Sequence, residues 1–398
     1  MSQLERRLRI CQSKGSWMIS RRKRIAFTAI TLCFPLTILM LALEITLRFK
    51  QSKAISTESR RILDQEIGWR PRPNLAREGL SKDAINQVSQ FRMTQDAHGF
   101  RQWGDTTTLK PRILVIGDSY TQADDIDDSK TYYALLAQRM PEAEFWAFGC
   151  SGYGTFQQSM IVAQYASEIR PDVVLIQMSS NDLVNNLKEL EAAIPFVSTP
   201  GPRPYLIDDG TTEHYFATRH RGLSAYSKLF GSLSDRLDDF RKESDNWVPG
   251  KQRKIGTTLN QESLSQLINK ATIKTATILN SIKTRLGPDT RLIAFYDEDV
   301  QPLGQALQQA CLDAQIPLIQ SIGPKMMEEE GRLGYYHYRT RDLWHWNNDG
   351  HKLVADLLET PLRQALELAS PDQESTPKAV PLIPPVIARD SKAGDQPR

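Results

Sequence analysis

Arg112-Ile113-Leu114-Val115-Ile116-Gly117-Asp118-Ser119-Tyr120-Thr121 is the stretch on which the reading of the fold turns. Four consecutive branched aliphatic residues stop at a glycine and give way to polar ones. A short apolar run of this kind is a strand buried on both faces, as in a parallel sheet. In open α/β sheets, ligands bind beyond the carboxyl ends of the strands. Asp118 and Ser119 therefore stand where chemistry is to be sought.

The same grammar repeats downstream. Residues 131–139 read as a helix and 144–148 as a second strand, which ends in Gly149, Cys150, Ser151, Gly152, Tyr153 and Gly154. A helix over 155–169 leads to a third strand at 172–178, followed by Ser179, Ser180, Asn181 and Asp182. Later come a long helix at 259–285, a strand at 291–296, a helix at 300–314, a short strand at 317–320 and an amphipathic helix at 351–368. Strands alternating with helices predict an α/β domain, over residues 109–369, with a mostly parallel five-stranded sheet covered on both faces. Residues 191–261 break the rhythm with Pro195, Pro200, Pro202 and Pro204 and a mixed region around Trp247. About 70 residues is too long for an ordinary connection and reads as an insertion. No internal repeat is visible.

Upstream, 48–108 is polar and punctuated by Gly68, Trp69, Pro71 and Pro73 and by His98, Gly99, Phe100 and Arg101. Prolines and glycines there argue for turns or edge strands. The segment is expected to be an exported stalk that packs back onto the domain. Before it, 25–43 is an uncharged run of 19 residues, about 28 Å as a helix and close to the thickness of a bilayer core. Arg21, Arg22, Lys23 and Arg24 precede it directly. Residues 1–24 hold eight basic residues against Glu5, a net +7, so the rest of the chain is near −4 given the total of +3. Basic flanks stay on the cytoplasmic side. The expectation is a signal anchor over 25–47, with 1–24 cytoplasmic and the remainder periplasmic or extracellular at a bacterial inner membrane. A cleaved signal peptide is the alternative, but Met40, Leu41, Ala42, Leu43 and Glu44 offer no small-residue cleavage pattern. The mildly acidic body carries no nucleic-acid footprint. Residues 370–398, rich in proline and poor in large apolar residues, read as a disordered tail. Of the four cysteines only Cys150 and Cys311 would meet an oxidising compartment, as one bridge or as two buried thiols.

Each strand end supplies a different ingredient. A serine hydroxyl needs a base to take its proton. His345 could do so, and Asp342 three residues earlier could orient the imidazole. The oxyanion that follows needs pre-aimed donors; the backbone N–H groups of Ser119 and Gly152 and the amide of Asn181 are candidates. Taken singly, Gly117-Asp118-Ser119 could be a capped turn, and Asp342 with His345 could be polarity ahead of a helix. His351, after Asn348, Asp349 and Gly350, reads as the structural first turn of the last helix rather than as a competing base. His214 and His220 read as surface residues, with no metal spacing. Trp344 and Trp346 read as core packing, with pocket lining as the alternative.

In order and in context these blocks resemble those of the SGNH (GDSL-type) hydrolases. Gly117, Asp118 and Ser119 match the first block, Gly152 the second, Asn181 with Asp182 the third, and Asp342 with His345 the fourth. The resemblance spans about 110–367. Two positions depart from the pattern: Tyr120 stands where leucine is frequent, and Ser179 where the third block has glycine. Gly68 with Trp69, and Gly99, Phe100 and Arg101, resemble the upstream segment of single-pass bacterial members. The resemblance implies a flavodoxin-like three-layer sandwich, acyl-ester chemistry through a serine nucleophile, and no metal or other cofactor. An acyl ester, acetyl among others, on an envelope or extracellular glycan is the expected substrate, and the lipid bilayer the expected partner of the N-terminal helix. An O-acyltransferase of surface polysaccharide and a quiet binding or assembly module remain as alternatives.

Overall fold

The computed structural model describes residues 21–58, 60–194, 201–217, 227, 229–230, 232–233, 259–296, 301–320, 322–334 and 336–367. Residues 1–20, His220, Trp247 with most of the insertion, and the 370–398 tail lie outside the described residues.

The first described element is a helix, Arg21–Glu58. Over Ile30–Arg48 it is long and apolar enough to cross a membrane, and none of that window is buried. Four strands follow: β1 (Arg61–Asp64), β2 (Gly68–Pro71), β3 (Ala76–Lys82) and β4 (Val88–Thr94). They form two antiparallel hairpins, β1 with β2 and β3 with β4. Next come β5 (Arg112–Gly117), β6 (Glu144–Gly149) and β7 (Val173–Met178). The hairpin of β8 (Gly201–Leu206) and β9 (Thr212–Ala217) interrupts the alternation within the expected insertion. The strands β10 (Arg291–Tyr296) and β11 (Leu318–Ile319) are the last among the described residues.

The central sheet has the order β11-β10-β7-β5-β6, and every described pairing in it is parallel. Successive side chains on a strand point to opposite faces, and the core divides accordingly. Leu114, Ile116, Val174 and Ile176 face Ile161, Val162 and Leu279, on the helices Thr155–Ile169 and Gln261–Leu286. Ile113, Val115, Val173 and Leu175 face Leu136, Val354 and Leu358, on the helices Tyr132–Arg139 and Asn348–Ala365. Each such buried side chain contributes about 1.5–3 kcal/mol. Apolar content on both faces is why these strands read as continuous hydrophobic runs.

Among the differences from the sequence reading, three bear on the helices that flank the sheet. The helix expected at 300–314 runs Leu303–Asp313, with Pro302 as its N-cap residue. The last helix begins at Asn348, because the Asn347 side chain accepts from the Gly350 N–H at 2.9 Å. An additional helix, Ile322–Leu333, went unanticipated; its glycines and glutamates mask a narrow apolar stripe that buries Ile322 and Met326. The upstream segment also closes one sheet edge. Arg101 N–H donates to the Ala147 carbonyl at 2.9 Å, and Ala147 N–H donates to the Gln102 carbonyl at 2.9 Å. An edge strand left open would invite pairing with another chain.

Candidate active site

Ser119 begins the short helix Ser119–Gln122 directly after β5, and Asp118 caps it by accepting from the Tyr120 N–H at 3.0 Å. The turn fits because two strands end in glycine. A Cβ on Gly117 would lie 2.1 Å from Thr121 Oγ1, and one on Gly149 would lie 2.1 Å from the Gln122 nitrogen. The backbone can then press against the sheet, leaving Thr121 and Gln122 buried beneath a half-buried Ser119.

His345 Nε2 lies 2.8 Å from Ser119 Oγ. On its other side, Nδ1 is bonded to Asp342 Oδ2. A carboxylate accepts only, so Nδ1 carries the proton and the lone pair falls on Nε2, facing the serine hydroxyl. Asp342 Oδ1 accepts from Thr340 Oγ1 at 2.7 Å, from Trp344 N–H at 2.9 Å and from His345 N–H at 3.1 Å. Partial burial would raise the Asp342 carboxyl, but His345 and these donors win and hold it well below the usual carboxylate range. The sequence-predicted Ser119, His345 and Asp342 are thus brought together, although they stand 226 and 3 residues apart.

Tyr120 and Arg339 anchor the histidine loop. Tyr120 Oη donates to the Trp344 carbonyl at 3.0 Å, and Arg339 Nη1 donates to the same oxygen at 2.8 Å. Arg339 is in turn held by the buried Glu330, at 2.7 Å, from the unanticipated helix. The tyrosine that replaces the frequent leucine therefore supplies a hydrogen bond that leucine could not make. Trp346 is buried in the core as expected, whereas Trp344 is only half-buried.

Gly152 has φ +80°, a conformation that glycine adopts without strain. Neither its N–H nor that of Ser119 donates within the protein among the described hydrogen bonds. Asn181 lies beside Gly152's loop and donates from Nδ2 to the Tyr153 carbonyl at 3.1 Å, which leaves its second N–H. Ser179, in the place of the expected glycine, bonds Asn181 Oδ1 through its hydroxyl and reaches Asp118 Oδ2 at 2.8 Å. The departure thus adds a link between the first and third blocks. Asp182, fully buried, accepts from Ser179 N–H at 2.8 Å and from Gln158 Nε2 at 2.9 Å. Its burial and the nearby Asp118 carboxyl push its pKa well above the usual range.

His351 is buried, and its Nδ1 accepts from Tyr132 N–H at 3.2 Å. Burial, with Arg101 and His345 nearby, pushes it down to about 3. His214 contacts the Glu66 carbonyl at 2.8 Å. Among the described residues no group of three His, Cys, Asp or Glu side chains could hold a metal ion. Cys150 and Cys311 are both buried and free.

A sequence model of the GDSL-like lipase/acylhydrolase family matches residues 115–353, more than half of the 398 residues. Several solved structures are similar. A lipolytic protein of the G-D-S-L family from Veillonella parvula has 12% identity over 63% of this chain and 98% of its own, with a TM-score of 0.32. A psychrotrophic esterase from a Pseudoalteromonas species has 10% identity over 65% and 100%, with a TM-score of 0.36. An acetyl xylan esterase from the rumen bacterium Butyrivibrio proteoclasticus has 12% identity over 70% and 68%, with a TM-score of 0.37. A search of curated proteins finds no match. These structural likenesses are distant, and the assignment rests on the family match: the chain belongs to the GDSL-like lipase/acylhydrolase family and is a serine hydrolase.

Proposed function

We propose that the protein hydrolyses acyl esters with Ser119 as nucleophile, His345 as general base and acid, and Asp342 as the group that orients the imidazole. The observation that carries this reading is the position of His345, with Nε2 2.8 Å from Ser119 Oγ and Nδ1 bonded to Asp342. Ser119 Oγ attacks the ester carbonyl as its proton passes to Nε2. The carbonyl oxygen becomes an oxyanion that accepts from Ser119 N–H, Gly152 N–H and the Asn181 amide. His345 returns the proton to the leaving alkoxide, and a water, deprotonated by the same nitrogen, releases the acid and frees the serine.

The substrate in this reading is an acyl ester, acetyl among others, of an envelope or extracellular glycan. In this reading residues 25–47 anchor the chain with 1–24 in the cytoplasm, so 48–108 and the 109–369 hydrolase domain lie in the periplasm or outside the cell. Support comes from the apolar helix over Ile30–Arg48 and the basic residues ahead of it.

The test is labelling of the full chain with a fluorophosphonate, together with turnover of simple acyl esters with and without a polysaccharide acceptor. The expected result is one labelled serine, Ser119, with labelling and turnover both lost in Ser119→Ala. Folded protein that neither labels nor turns over an ester would overturn the reading in favour of a binding module. Acyl transfer to the polysaccharide without release of free acid would replace hydrolase by transferase. Reporter fusions after residue 60 should be active only with a periplasmic or extracellular reporter, and cytoplasmic reporter activity would refute the topology.

A further inference from the structure

The loop that presents Gly152 is held by residues that lie far from it in sequence. Arg61 Nη1 and Trp69 Nε1 each donate to the Ser151 carbonyl at 3.1 Å. Both come from the upstream β1–β2 hairpin, outside the 115–353 family match. Arg203, fully buried on β8, donates from Nη1 to the next carbonyl, that of Gly152, at 2.7 Å. Asn181 takes the one after, that of Tyr153, at 3.1 Å.

The peptide unit between Ser151 and Gly152 is planar and trans, so its C=O and N–H point in opposite directions. Whatever fixes the Ser151 oxygen also aims the Gly152 N–H. Two donors from the hairpin pin that oxygen toward the upstream segment, which turns the N–H away from it. The Tyr153 N–H donates to the Cys150 carbonyl at 3.0 Å and closes a turn with this peptide at its centre; glycine at 152 lets that central peptide face either way, so the outside donors select its direction.

The two hairpins that supply the donors are built against each other. The Arg203 guanidinium lies 4.9 Å from the Trp69 ring centroid. A Cβ on Gly68 would lie 1.8 Å from the Pro202 carbonyl oxygen, and one on Gly201 would lie 3.0 Å from the Trp69 ring. Arg203 is itself fixed by the buried Glu191, 2.9 Å from its Nε. These tight approaches make β2 and β8 one support for a single loop.

We propose that Trp69 and Arg61 are positioning residues for acyl transfer, and that the upstream segment is a working part of the active site because it sets the direction of the Gly152 N–H. The inference rests on the reading of Gly152 as an oxyanion donor. Neither side chain is required to touch the substrate.

The experiment uses the full chain in mild detergent and a short acyl ester. Trp69→Phe keeps an aromatic ring but removes the five-membered ring that carries the N–H; Arg61→Met keeps most of the aliphatic stem and removes the guanidinium. Each loses one neutral or charge-assisted bond to the carbonyl, so kcat should fall about five- to tenfold in each. The double variant, with the carbonyl freed, should fall about a hundredfold, toward the loss of a whole oxyanion donor. KM should stay within about twofold, the fluorophosphonate labelling rate should fall in step with kcat, and the loss of melting temperature that the smaller ring causes in Trp69→Phe should not deepen in the double variant. A double variant that keeps kcat while Asn181→Ala loses it would overturn the inference and leave the oxyanion reading standing. A double variant that changes KM alone would also overturn it, by making these residues substrate contacts. If Asn181→Ala and the double variant are both as active as the parent, while Ser119→Ala is dead, the oxyanion reading itself fails and the inference with it.

Discussion

The candidate nucleophile and the candidate base are held by two differently built regions. The turn at 117–122 is packed into the sheet by two glycines and buries its own Thr121 and Gln122. The loop at 340–345 lies at the surface, with the Asp342 and His345 side chains 48% and 37% exposed. It keeps its shape through hydrogen bonds: Asp342 to the N–H groups of Trp344 and His345, and Tyr120 and Arg339 to the Trp344 carbonyl. Steric contact cannot be relaxed without disturbing the core, whereas a hydrogen bond can be deleted alone. Changes in the first region should therefore appear in stability, and changes in the second in turnover.

The largest expected effect tests the loop. Asp342→Asn should lower kcat by about 10⁴, since the amide can favour the wrong imidazole tautomer, while the melting temperature barely moves. A comparable loss of melting temperature would show that the loop is as structural as the turn, and the contrast would be lost.

Acid should act on the buried side. His351 has a folded pKa of about 3 against an ordinary 6.5, so the unfolded chain binds the proton first. The stability associated with neutral His351 is complete above about pH 6.5 and is lost as pH falls toward 3, on the order of 4 kcal/mol across that window. Denaturant unfolding measured at several pH values should show this slope. In His351→Gln, which can still accept from the Tyr132 N–H, the slope should flatten; an unchanged slope would assign it to other groups.

Gly117→Ala sharpens the contrast from the packing side. A Cβ 2.1 Å from Thr121 Oγ1 has to displace the turn or the sheet end, at a cost of about 1–3 kcal/mol. A lower denaturation midpoint is expected, and an unshifted midpoint would mean that the turn yields freely. The smallest effect should come from Tyr120→Phe, which keeps the ring and removes the hydroxyl with its 3.0 Å bond to the Trp344 carbonyl. Arg339 still holds that oxygen, so kcat should fall about two- to fivefold with KM and stability unchanged. A loss of a hundredfold would make the tyrosine, rather than Asp342, the main support of the loop.

The parallel sheet was legible in the sequence because strands buried on both faces must be apolar throughout, and two of them end in glycine where the chain turns sharply. The residues after those strands could be found for the same reason: the topology puts them at one end of the sheet. Ser119, His345 and Asp342 could be named from residue type and order alone. The supporting groups could not. Tyr120 and Ser179 could be seen only as departures from the pattern, because what matters is which oxygen each hydroxyl reaches across the fold. Glu330 sat in a helix whose apolar stripe is too narrow to announce itself. Trp69, Arg61 and Arg203 act on one loop from 82, 90 and 51 residues away, and no local pattern records a bond across that separation. Periodicity and residue chemistry are local properties and can be read along the chain. The direction of a carbonyl or an N–H depends on which distant donors arrive beside it, and only the tertiary structure decides that.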